Sequence, residues 1–370
     1  MTRQIGLYLH IPFCARKCAY CDFASYPGRE RDMEPYVERV IAEMENRPLP
    51  GRCVATAYIG GGTPSLMPPR LMDRLLSALR AHFDFLPDAE WTCECNPGTV
   101  TAEFLSVLRD HGVNRLSFGA QALQERLLRL LGRIHTWDQV AEAVSLARKA
   151  GFHNLNLDIM LGLPTQTVKD VEETLRSALQ LNPTHLSCYG LIVEEGTPLK
   201  EKIDRGEWAL PDEEEERAMY ELCRQLLSQN GFDQYEISNF ARPGFLCRHN
   251  RDCWQRREYL GLGCAACGFL QNIRYQNPPS LTDYLAGKPA EETVISPEEA
   301  RFESVMLGLR LTEGVSDADF TRMHGMTLGD AFGDKLNGPL QDGLLEWRGD
   351  YLRLTRRGMD VQNRVLVELM

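Results

Sequence analysis

The chain has 370 residues, 43% of them hydrophobic and 25% charged, with a formal net charge of −11. That length suits one large α/β domain with a smaller companion, and the acidic balance argues against a generic nucleic-acid binder, which presents a basic surface. No stretch approaches the roughly 20 apolar residues of a membrane span, and Met1-Thr2-Arg3-Gln4-Ile5 opens without a signal-peptide core, so the cytoplasm is the expected compartment.

Short apolar strands alternate with amphipathic helices over the first 190 residues. The strand patterns are Ile5–Ile11, Val54–Ile59, Glu90–Asn96, Val113–Gly119, Asn154–Met160 and Thr184–Leu191. Met33, Tyr36, Val37, Val40, Ile41 and Met44 repeat at helical spacing, as do Met219, Leu222, Cys223, Leu226 and Leu227. Thr136 with Gln139 reads as a capping box that opens a further helix. Such alternation implies a parallel sheet, either closed as a partial barrel or left open and doubly wound. In both cases reactive groups gather at the C-terminal strand ends.

The rhythm breaks near residue 240. Arg242-Pro243-Gly244 and Asn277-Pro278-Pro279-Ser280 read as loops. From Ser296, an N-cap followed by Pro297 and Glu299 begins a mainly helical unit. Two short strands, Leu344–Trp347 and Tyr351–Leu354, form a hairpin within it, which suggests a winged-helix-like domain.

Twelve cysteines are many for an acidic cytosolic chain, since that compartment keeps thiols reduced. Three of them, Cys14, Cys18 and Cys21, follow the first strand in a CxxxCxxC run. Three thiolates on one loop can hold three irons of a 4Fe-4S cube and leave the fourth iron open to another ligand. An open iron can take the amino and carboxylate groups of S-adenosylmethionine and pass an electron to its sulfonium. A structural zinc site would want four ligands; the other close pair, Cys264 and Cys267, lies far down the chain and would leave Cys14 unused.

This segment resembles the radical S-adenosylmethionine (radical SAM) superfamily, and more narrowly its group of oxygen-independent coproporphyrinogen III dehydrogenases and heme chaperones. The likeness runs from Tyr8 to the C-terminal unit. It implies a partial (β/α)6 barrel over residues 1–240, a connecting segment at 241–295, and a small C-terminal domain at 296–370. Gly60-Gly61-Gly62-Thr63-Pro64 matches the family's glycine motif, which contacts the methionine part of the cofactor. Alternation along Trp91–Asn96 puts Glu94 on the inward face, where a carboxylate needs a partner, and the family assigns it a cofactor contact. Cys93 and Cys95 face the other way and read as packing. By the same parity Asp158 points inward; Gln121, Arg133 and Asp158 match positions that, in the resembling dehydrogenase, contact a second S-adenosylmethionine. Tyr8, Tyr20, Gly61, Gly62, Thr63 and Ile192 also match contact positions.

Two features separate the carrier from the enzyme within that group. The dehydrogenase has a further cysteine where this chain has Phe23, and it has a longer segment before the cluster strand. Cys247-Arg248-His249-Asn250-Arg251-Asp252-Cys253-Trp254 resembles the HNxxYW segment that the chaperones associate with heme, making His249, Asn250 and Trp254 the heme candidates. Cys253 replaces the tyrosine, and Cys267 stands where related chains often have histidine. The resemblance therefore implies a heme carrier that delivers heme to acceptors such as membrane respiratory enzymes. The alternative is a coproporphyrinogen III oxidase or another radical SAM tetrapyrrole enzyme.

Overall fold

A computed structural model describes residues 3–370, so Met1 and Thr2 of the opening run lie outside the described residues. Six parallel strands form the centre: β1 (Arg3–Ile11), β2 (Arg52–Gly61), β3 (Phe85–Cys95), β4 (Arg115–Gln121), β5 (Asn154–Leu161) and β6 (His185–Gly190). They neighbour one another in chain order. Every expected strand is present, with ends that shift by one to five residues; β6 is one residue shorter than expected at each end.

The crossovers are helical because parallel neighbours cannot be joined by a tight turn. They comprise α1 (Met33–Glu45), α2 (Pro69–His82), α3 (Ala102–Asp110), α4 (Glu125–Leu131), α5 (Trp137–Lys149) and α6 (Val168–Gln180). After β6 come α7 (Pro198–Asp204) and α8 (Glu213–Gln229). Thr136 and Gln139 close the expected capping box on α5, and Thr167 with Asp170 does the same for α6. On α2 the buried stripe Leu71, Met72, Leu75, Leu76 and Leu79 packs toward the sheet, each large side chain contributing about 1.5–3 kcal/mol on burial. Cys93 and Cys95 both pack in the apolar core, but Cys95, expected to face away with Cys93, also borders the cavity at the strand end.

The segment 241–295 becomes part of the sheet. Tyr259–Leu262 runs parallel beside β1, pairing Gly6 with Tyr259, and three antiparallel strands continue outward through Cys267–Leu270, Ile273–Gln276 and Glu291–Val294. At the opposite edge Asn239–Ala241 runs antiparallel to β6. A short helix, α9 (Arg248–Trp254), lies between these additions.

Ser296 caps the helix Pro297–Gly308 with the expected box. The hairpin Leu345–Arg348 and Tyr351–Leu354 gains a third short strand, Val315–Ser316. This unit has its own core around Val305, Leu309, Phe320 and Leu352. It is tied to the sheet extension by Glu303, which accepts from Arg256 at 2.9 Å and Arg274 at 2.7 Å. Among the described residues no helix is long and apolar enough to cross a membrane.

Candidate cofactor site at the mouth of the barrel

The cysteine loop leaves β1 and returns through a two-residue parallel pairing, Phe13 with Tyr26 and Cys14 with Pro27, which closes its base. Its middle is held from two crossovers: the Ala19 N–H donates to Leu131 O at 2.9 Å, and the Leu199 N–H donates to Ala19 O at 2.9 Å. All three thiols are half-buried and free, and they border one cavity of about 480 Å³. Among the described residues no three His, Cys, Asp or Glu side chains converge as ligands of a single bare ion.

The glycine turn at the end of β2 is stapled to this loop. Gly62 N–H donates to Ile11 O at 2.8 Å, Thr63 N–H donates to Phe13 O at 2.7 Å, and the Thr63 hydroxyl donates to Cys14 Sγ at 3.4 Å. A Cβ on Gly62 would lie 2.7 Å from Phe13 O, and one on Gly61, where φ is +107°, would lie 2.4 Å from the His10 ring. Only glycine permits this approach of turn and loop.

Glu94 reaches the same cavity from β3. It accepts from the Tyr58 hydroxyl at 2.8 Å and from Gly61 N–H at 3.1 Å. Desolvation, reinforced by the nearby Asp158, pushes its carboxyl up to about 7. Asp158 is raised too, chiefly by burial, and accepts from Asn156 at 2.7 Å and Ser117 at 3.1 Å. Two buried carboxylates, each held by two donors, thus stand close together beside the cavity.

Arg133 spans the cavity wall, donating to Asn96 Oδ1 at 2.9 Å, to Gly119 O at 2.6 Å and, more loosely, to Cys18 Sγ at 3.8 Å. Its Nε has no partner among the described residues. Gln121 sits at φ +64° after a bulge in β4, which keeps its side chain toward the cavity, where Oε1 accepts from Tyr189 at 2.9 Å. Tyr20 lines the wall and Ile192, 70% exposed, the rim.

The cavity therefore gathers Cys14, Cys18, Cys21, Tyr20, Gly61, Gly62, Thr63, Glu94, Gln121, Arg133, Asp158 and Ile192. It does not gather Tyr8, whose hydroxyl pairs with His10 Nδ1 at 3.0 Å within the barrel. Cys95, Asn96, Ser117, Gly119 and Tyr189 also line it; strand parity pointed to Asn96, which shares a face with Glu94, and away from Cys95.

His249, Asn250 and Trp254 lie on α9, away from this cavity. Backbone N–H groups of Arg248 and His249 donate to the Glu90 carboxylate, each at 3.1 Å, so Glu90 receives the helix N-terminus. The His249 ring is only 6% exposed, pairs through Nδ1 with the Thr56 hydroxyl at 3.0 Å, and stacks on Tyr58 at 5.3 Å. Burial, and then the positive charge of Arg115, holds its pKa down at about 4. Trp254 carries the Arg310 guanidinium 4.4 Å over its ring. Arg115 was not anticipated as a functional residue: its fully buried guanidinium sits inside the barrel, near Cys247 and Glu90.

Residues 8–178 match the family model described as the Radical SAM superfamily, and residues 295–361 that described as the HemN C-terminal domain. Along its whole length the chain is 35% identical to the heme chaperone HemW of Lactococcus lactis, covering 98% of that protein. It is 36% identical to those of Bacillus subtilis and Escherichia coli, covering 97% of each and spanning 97% and 98% of this chain. The chain belongs to the HemW family of radical SAM proteins. The solved structure of E. coli coproporphyrinogen III oxidase (HemN), a radical SAM enzyme, superposes with a TM-score of 0.86 over 99% of this chain and 90% of its own, at 24% identity, a likeness of fold.

The HemW-family cavity fits the groups its superfamily implies. Burial raises the Cys14 and Cys21 thiols, so a metal cluster taken up there would displace their protons. Cluster and S-adenosylmethionine would supply one-electron reductive chemistry at the barrel mouth. The protein's share would be to orient them: Thr63 and Arg133 reach Cys14 and Cys18, the glycine turn brings backbone to the cavity, and Glu94 would offer its carboxylate.

Proposed function

We propose that this chain is a heme chaperone that holds a 4Fe-4S cluster on Cys14, Cys18 and Cys21 and S-adenosylmethionine against Tyr20, Gly61, Gly62, Thr63, Glu94, Gln121, Arg133, Asp158 and Ile192. Its cargo is heme, handed in the cytoplasm to acceptor proteins such as membrane respiratory enzymes. The observation that carries this reading is kinship along the entire chain with proteins named heme chaperones. Phe23 supports it: the ring is 60% exposed at the cavity rim, where the resembling dehydrogenase has a further cysteine. Heme ligation by His249 requires α9 to lift from its seat, because the imidazole is buried against Thr56 and Tyr58.

Titrating heme into anaerobically reconstituted protein tests the reading. A saturable Soret band without decarboxylation of coproporphyrinogen III is the expected result. Turnover of coproporphyrinogen with no saturable heme binding makes the chain an oxidase and overturns it.

A further inference from the structure

Tyr58 contacts both features that the sequence singled out separately. Its hydroxyl donates to Glu94 at 2.8 Å, and one face of its ring carries the His249 imidazole at 5.3 Å with the planes 30° apart. On the far side of that imidazole, Thr56 fixes Nδ1 at 3.0 Å, and Glu90 anchors the first backbone amides of α9. An unbroken chain of contacts thus runs from the α9 N-terminus through His249 and Tyr58 to the carboxylate at the cofactor cavity.

We propose that Tyr58 is a positioning residue for S-adenosylmethionine binding, and that through it the seating of α9 sets how well Glu94 receives the cofactor's ammonium group. The phenol hydroxyl holds one carboxylate oxygen while Gly61 N–H holds the other, fixing the plane of the group. The phenol has little freedom to turn, because its ring is packed against His249 on α9 and Tyr8, 6.4 Å away, on β1. Were α9 to leave its seat, the ring would lose a stacking partner and the carboxylate its fixed donor. Occupancy of the cofactor site and release of His249 are then linked, and linkage acts equally in both directions. The proposal rests on Glu94 as the cofactor's acceptor.

Calorimetric titration of S-adenosylmethionine into the reconstituted full chain tests it, using Tyr58→Phe, His249→Ala, the double variant and Glu94→Ala. Tyr58→Phe is expected to weaken binding about tenfold, the range for a hydrogen bond to a charged group. It should also move the pH at which affinity is half developed to higher values, because the lost donor favoured the carboxylate form. Tyr8 on β1, Arg115 on β4 and Asp158 on β5 also face that carboxylate, and they stay unchanged across the variants. His249→Ala is expected to cost a few-fold, and to cost nothing further once Tyr58 is phenylalanine. Thr56→Val, which frees the ring without removing it, repeats the measurement should His249→Ala fold poorly; iron content and thermal melting report folding throughout. Additive effects of the two substitutions, or a Tyr58→Phe protein with unchanged affinity and pH midpoint, overturn the inference. An unaltered Glu94→Ala protein instead removes the reading of Glu94 beneath it.

Discussion

Replacing Glu94 with glutamine separates binding from folding, because the two effects have opposite signs. Burial beside Asp158 holds the Glu94 carboxyl at about 7, against an ordinary 4.5. A folded-state pKa raised in this way means that ionisation opposes folding. The penalty is absent below the unfolded value, grows as pH rises through the gap, and is complete above about 7. At about 1.36 kcal/mol per unit, the penalty is about 3 kcal/mol at pH 8. Glutamine keeps the shape and escapes the charge. Its carbonyl can accept from Gly61 N–H while its amide donates to Tyr58, whose hydroxyl turns from donor to acceptor. The raised value already includes the hydrogen bonds to the carboxylate, so the apo variant should be more stable than wild type by about 3 kcal/mol at pH 8, with the advantage vanishing as pH falls toward 4.5. Cofactor affinity should move the other way, falling by about 1.5–3 kcal/mol, tenfold or more, with loss of the charge-assisted contact. Scanning calorimetry of the apo chain at pH 8 and pH 5, with titration of S-adenosylmethionine into the reconstituted chain, measures both. A variant that melts below wild type at pH 8 and binds the cofactor undiminished refutes the argument and leaves Glu94 a purely structural residue.

The triple change Cys14→Ala, Cys18→Ala and Cys21→Ala should abolish nearly all the iron taken up on anaerobic reconstitution, about four atoms per chain on cluster chemistry; full iron retention would move the site to other cysteines. Gly61→Ala puts a methyl group into the His10 ring at a positive φ and should cost about 2–3 kcal/mol in urea unfolding together with cofactor binding, whereas a neutral result would deny the close approach of turn and loop. His249→Ala should shift the Soret maximum or weaken heme binding while the iron–sulfur absorbance stays put. Cys253→Ala and Cys267→Ala belong in the same series because a thiolate gives a different spectrum, and an unchanged spectrum across all three removes this segment from heme ligation.

Much of the barrel was legible because its signals are local. A strand buried on one face and polar on the other declares its parity, so Glu94 and Asp158 could be placed inside before any coordinates and Cys93 outside, whereas Cys95, expected to face away, borders the cavity at the strand end. Capping boxes at Thr136 and Ser296 likewise depend on residues three apart. What escaped the sequence is what long-range pairing decides. Tyr259–Leu262 is four residues long and finds its partner, β1, some 250 positions earlier, so the stretch 241–295 read as a connector although it extends the sheet. Tyr8 illustrates a different gap: the resemblance made it a contact position, yet its hydroxyl pairs with His10 and it does not line the cavity.

The segment from Cys247 to Trp254 carries the same lesson into function. Residue type marked His249 as a possible iron ligand, since a neutral imidazole suits that role. The fold makes the ring neutral, with a pKa of about 4, and also conceals it, and both follow from burial in the barrel. An imidazole kept unprotonated is ready to ligate iron as soon as it is exposed. The ring is hidden by one hydroxyl contact and one aromatic stack, and the seven-residue helix is seated by its N-terminus on Glu90, by Arg248 on Asp88, by Arg251 on Glu313 and by Trp254 under Arg310. Such a short element can unseat without disturbing the strands that hold Cys14, Glu94 and Asp158, because those are bound into the sheet on both sides. On the carrier reading α9 would move while the strands beneath the cofactor cavity stay in place, and the Tyr58 contact alone would pass that movement on to Glu94.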